Sequence, residues 1–144
     1  MNLVYINIIV ALTNIAAIPA IIYSKDALTQ AILIGAMIAS FLMHISETKH
    51  TLPGIYPFNV YANTFLWCDR IMAVITVSYL LIVLYSSAPI DEIYEIVSLA
   101  IEAHVWLVLS ESFVARNNVT VFAITHSLWH IEAFRIAYHV VTRF

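Results

Sequence analysis

His126 and His130 stand four residues apart in the run "THSLWHIEAF", inside a segment otherwise rich in Val, Ile, Ala, Phe and Tyr. On a helix that spacing puts both imidazoles on one face, one turn apart. Such a pair can present two nitrogens to one metal ion. It can equally serve as two interhelical hydrogen-bonding groups. A third histidine, His44, sits in the run "IASFLMHIS", with Ser40 one turn before it on the same face. Three histidines that leave one coordination position open are the pattern of a catalytic zinc site, in which Zn2+ activates water. A carboxylate beside such a site can orient the water or take its proton, and Asp69 is the candidate. Ser40 would add a hydroxyl for water or substrate; its other use is to bond back to its own helix, as serine in membrane spans commonly does.

The elements that must position these residues are apolar. The chain has 144 residues, of which 62% are hydrophobic and 10% charged. A soluble domain carries about 25% charged residues, and one this small has too little interior to hide so much apolar surface. A membrane is the expected solvent. Five runs approach the roughly 20 apolar residues that a span needs: about 3–23, 28–46, 63–85, 93–113 and 120–141. They are about twice the length of a barrel strand and do not alternate. The expectation is therefore a single all-α domain, an integral membrane bundle of five transmembrane helices. The first run lacks the basic start of a signal peptide and reads as a retained helix. Basic residues divide evenly between the two faces, so the charge bias sets no orientation. The net charge of −3 is small, no basic patch suggests nucleic acid, and the lone Cys68 excludes an intrachain disulfide.

Alternation of the spans brings the end of the second and the starts of the third and fifth to one membrane face. Ser40, His44, Asp69, His126 and His130 thus converge at one depth. Glu132, Arg135 and His139 form a separate stripe. His139 lies nine residues after His130, roughly 180° around the helix, so the stripe points away from the metal. It reads as structural, with Glu132 and Arg135 paired and Glu95 or Glu102 joining them. Glu47 and His50 read as solvated at the loop edge, with His50 the substitute should another ligand fail. Cys68 reads as packing. Glu102, His104 and Glu111 fit no pattern beyond a water-filled path.

"S-x-x-x-H" at Ser40–His44, the following Asp69, and "H-S-L-W-H" at His126–His130 resemble the superfamily of alkaline ceramidases, progestin and adipoQ receptors, and myomaker-like proteins. The resemblance covers about residues 36–135 and rests on those three patches. It implies an intramembrane zinc held by the three histidines, accompanied by Ser40 and Asp69, and in several members hydrolysis of lipid amides. The chain departs from the seven-span family pattern between Asp69 and His126, where two spans are absent. An even loss preserves the orientation of the last helix. The acidic, Trp-containing N-terminal motif of the ceramidases has no counterpart here, which leaves ceramide specificity open.

Three functions compete. The first is a zinc-dependent intramembrane hydrolase of a lipid amide or ester, with a membrane lipid as substrate. The second is a non-catalytic, receptor-like or fusion-related membrane protein with a structural metal site. The third is a small transporter using Glu95, Glu102, His104 and Glu111. A five-helix bundle with a polar stripe also invites a homo-oligomer that seals it.

Overall fold

The computed structural model describes residues 3–47, 50 and 52–144, and contains no strand among them. The all-α bundle expected from the sequence is what the chain forms. Its first rod, Leu3–Tyr23, comprises α1 (Leu3–Leu12), a 3-10 stretch (Thr13–Ala17) and α2 (Ile18–Tyr23). Pro19 explains the interruption: it has no N–H for the Ile15 carbonyl, and its ring crowds that oxygen. The chain tightens, and the Ile18 N–H bonds to Ile15 O instead.

Helix α3 (Ala27–Ser46) starts at Asp26, whose Oδ1 accepts from the Thr29 N–H at 2.9 Å. Thr29 also bonds to the Tyr79 hydroxyl, tying α3 to α4 (Ala62–Ser87). Between these helices the chain folds back. Leu52 is buried in a cluster with Ile6, Val10, Phe122 and Ala123, Asn7 Nδ2 donates to Pro53 O at 3.1 Å, and Ile55 N donates to Ile45 O at 2.8 Å. Gly54 is needed for this return, because a Cβ there would stand 2.4 Å from Ser46 O.

Helix α5 (Ile90–Ala115) ends in a Schellman turn. Asn117 takes the left-handed conformation at φ 57°, its N–H bonds to Val114 O at 2.9 Å, and the Asn118 N–H bonds to Phe113 O at 2.9 Å. The Asn118 side chain then accepts from the Val121 N–H at 3.3 Å and starts α6 (Val119–Arg143). Two adjacent asparagines thus set α5 and α6 antiparallel.

Helix α6 packs on the first rod and on α5, and touches α4 lightly. Helix α3 packs on the first rod and on α4. Far from the candidate site, Ala20, Leu33, Leu80, Leu84, Ile96, Leu99, Ala137 and Val140 draw all the rods into one core.

Four helical segments are long and apolar enough to cross a membrane: Leu3–Tyr23, Ala27–Ser46, Phe58–Ser87 and Ile90–Ala115, with mean hydropathies of 2.0, 1.8, 1.8 and 1.5. Their outward faces suit lipid better than water, as Val74 at 66% and Ile82 at 66% exposure illustrate. The fifth expected span, α6, has 25 residues, roughly 37 Å of helix. It is long enough, but His126, His130, Glu132, Arg135, His139 and Arg143 keep its composition below that of the other four.

Candidate metal centre

His44 lies near the end of α3, and His126 and His130 in the first half of α6. The three ring centroids form a triangle with every side 4.9 Å, and the ring planes cross at 63° to 79°. The rings are 1%, 4% and 4% exposed in chain order. One ligand atom from each lies within 4.8 Å of the others, and no other His, Cys, Asp or Glu among the described residues joins that group. The buried triad is therefore a set that could hold a metal ion.

The far sides of the two α6 rings are anchored. The Thr13 hydroxyl donates its one proton to Val10 O at 2.6 Å. Its oxygen is left to accept from His130 Nδ1, 2.8 Å away. Ser110 repeats the device on α5: it donates to Leu107 O at 2.7 Å and accepts from His126 Nδ1 at 3.1 Å. His44 Nδ1 faces Glu47 Oε2 at 3.4 Å. With Nδ1 of His126 and of His130 each supplying a proton, their Nε2 atoms keep their lone pairs, a tautomer assignment that follows from the hydrogen-bond network. A cation held among the rings would take up those lone pairs. One of the three spacings matches such a site: His44 Nε2 and His130 Nε2 are 3.2 Å apart. Two ligands about 2.0–2.1 Å from one ion at tetrahedral corners stand roughly 3.3–3.4 Å apart.

Glu47 and His50 are buried, not solvated. The returning chain covers them, which a hydropathy profile of the loop cannot reveal. Glu47 Oε1 accepts from the His50 backbone N–H at 3.0 Å and faces His50 Nδ1 at 3.1 Å. Burial alone would push the Glu47 carboxyl up; the contacts with His44 and His50 outweigh it and hold the group at about 2. The resulting buried negative charge offsets part of the charge of a metal cation. His50 Nε2 faces Glu111 Oε1 at 3.3 Å, and its ring lies 4.7 Å from that of Phe122. Both of its nitrogens face carboxylates, so His50 clasps the cover over the triad and is not a spare ligand.

Ser40 joins the site, its Oγ 3.5 Å from His130 Nε2. Asp69 is half-buried on α4 and lies outside the close group of ligand atoms. Its level is set by the contact of Gly35 with Met72, where a Cβ on the glycine would meet Met72 Cε at 2.8 Å. Asp69 is one turn from Met72 toward the triad, which in antiparallel register brings it near the depth of Ser40.

The chain matches no protein-family model, no curated protein and no solved structure.

Three parts of the centre lie outside the sequence-based set: Thr13, Ser110 and Glu47. Thr13 and Asn14 are the polar break in an apolar span, and that was the available signal. Cys68 is exposed, not packed. In the α6 stripe Arg135 does pair with Glu132, at 3.2 Å. Glu95 instead engages Arg143, at 2.5 and 3.1 Å.

Proposed function

We propose that the chain is a zinc-dependent intramembrane hydrolase of a lipid amide or ester. The observation that carries this reading is the ligand set: three buried imidazoles that each bring one nitrogen within 4.8 Å of the others, with no fourth ligand in the group among the described residues. Structural zinc usually takes four protein ligands, whereas three leave a position for chemistry. Zinc bound there would supply an activated water at neutral pH and polarise a carbonyl. The residues divide the remaining work. Thr13, Ser110 and Glu47 hold the rings in orientation and tautomer. Ser40, with Oγ 3.5 Å from His130 Nε2, can hydrogen-bond a water or substrate oxygen. Asp69 is the proton acceptor, directly or through one water. A bilayer substrate would enter sideways between the helices. The order of Ser40, His44, Asp69, His126 and His130 supports a reduced, five-helix relative of the ceramidase and adipoQ-receptor superfamily.

The deep burial of all three rings favours a second reading, a receptor-like or fusion-related membrane protein stapled by its metal. One paired experiment separates the two. Elemental analysis of purified protein should give one zinc per chain, and vesicles containing ceramides, phospholipids or N-acyl amides should release fatty acid. Zinc without hydrolysis across that panel would overturn the enzyme reading and leave the staple.

A further inference from the structure

Glu102 stands at the midpoint of α5. It is exposed, and it makes no hydrogen bond or ion pair among the described residues. Helix α5 is at the edge of the bundle, packed on α6. Glu95 and Ser98, seven and four residues earlier, are exposed on the same side. Helix α6 carries Arg135, its side chain 49% exposed and paired with Glu132, and Arg143, its side chain 35% exposed and paired with Glu92 and Glu95. The antiparallel register is fixed at two places, by Ser110 on His126 and by Glu95 on Arg143. It sets Glu102 at the depth of Arg135. Ionisable groups in the middle of a membrane span face protein or water rather than lipid.

We infer that the charged face of α5 and α6 is the seam of a symmetric dimer of this chain within the membrane. A two-fold axis along the bilayer normal keeps every residue at its depth and lays α5 of one copy beside α6 of the other. The acidic helix then meets the basic one twice over. Glu102 faces Arg135 of the partner subunit, and the reciprocal pair forms with it. Arg135 has the capacity: its guanidinium carries five N–H donors, and its contacts with Glu132 run through one nitrogen, Nη1. Exposed Val97, Ile101, Val105 and Ile131 flank these charges with apolar surface. Ser98 is small enough to let two helices approach. The charge match singles out a second copy, because Glu102 on α5 and Arg135 on α6 lie at matched depth and Arg135 has donors beyond those that Glu132 uses.

The test uses purified full chain in liposomes, with Cys68→Ser removing the exposed thiol. Single cysteines at Ser98 or Val105 should crosslink to a covalent dimer, while one at Leu81 on α4 should not. Subunit counting in the bilayer should give two copies for the parent. Glu102→Arg and Arg135→Glu should each weaken dimerisation at least tenfold, and the double exchange should restore it. Unchanged metal content in the single variants shows that they fold. Any of several results would overturn the seam. These are one copy per spot at all protein densities, crosslinking confined to α4, a different membrane protein captured at position 102, or labelling of a cysteine at 102 by a water-soluble reagent as fast as one at Asn117.

Discussion

Thr13 Oγ1 lies 2.8 Å from His130 Nδ1, joining the first rod to α6 across 117 residues of sequence. The threonine stands at the 3-10 break that Pro19 imposes, and its own proton is already committed to Val10 O. The bond fixes which nitrogen of His130 faces the centre. Thr13→Val keeps the shape and removes the acceptor, while Thr13→Ser keeps the acceptor. Loss of such an outer partner typically costs 10–100-fold in metal affinity. Competition with a chelator should show that loss for valine and near-parental affinity for serine.

His130 and His50 are both buried histidines near the same rings, yet their roles differ. His130→Ala should abolish stoichiometric metal. His50→Phe should retain the metal and lower the melting temperature, since it leaves Glu47 without one of its partners; breaking a buried pair costs about 3–5 kcal/mol. Loss of metal in both variants would make His50 a ligand, contrary to the geometry of its two carboxylate contacts.

Asp69→Asn removes the charge that can take a proton and nearly keeps the shape. On the proposed hydrolase reading, metal occupancy and melting temperature should hold while turnover falls about 10²–10⁴-fold, the usual size of a general-base contribution. A joint drop in zinc and stability would instead make Asp69 a ligand.

Gly54→Ala tests the cover over the triad. The added methyl would lie 2.4 Å from Ser46 O and 2.8 Å from Asn59 Cβ, so backbone must move. A destabilisation of about 1–3 kcal/mol is expected from such overpacking. Thermal melts should show it, together with faster exchange of any metal held at the proposed centre as the clasp at Glu47 and His50 loosens.

The helical rods were legible because each apolar run nearly fills its helix; the run at 3–23 became Leu3–Tyr23 and that at 28–46 became Ala27–Ser46. The convergence of His44 with His126 and His130 was legible from helix alternation and a four-residue spacing. Their anchors were not. A threonine 117 residues away leaves no periodic trace, and Ser110 is one serine among several on apolar helices. The burial of Glu47 and His50 depends on a loop that turns back against its own helix. Only Gly54 hints at that, by needing no side chain.

The ligands and their anchors come from separate rods: Thr13 from the first, His44 and Glu47 from α3 and its end, Ser110 from α5, and His126 and His130 from α6. Helix α6 is synthesised after the others. Until it is inserted, only His44 of the three ligands is present, and one imidazole is a poor chelator. At the proposed centre, metal capture would therefore have to wait until α6 joins the rods that precede it in the chain.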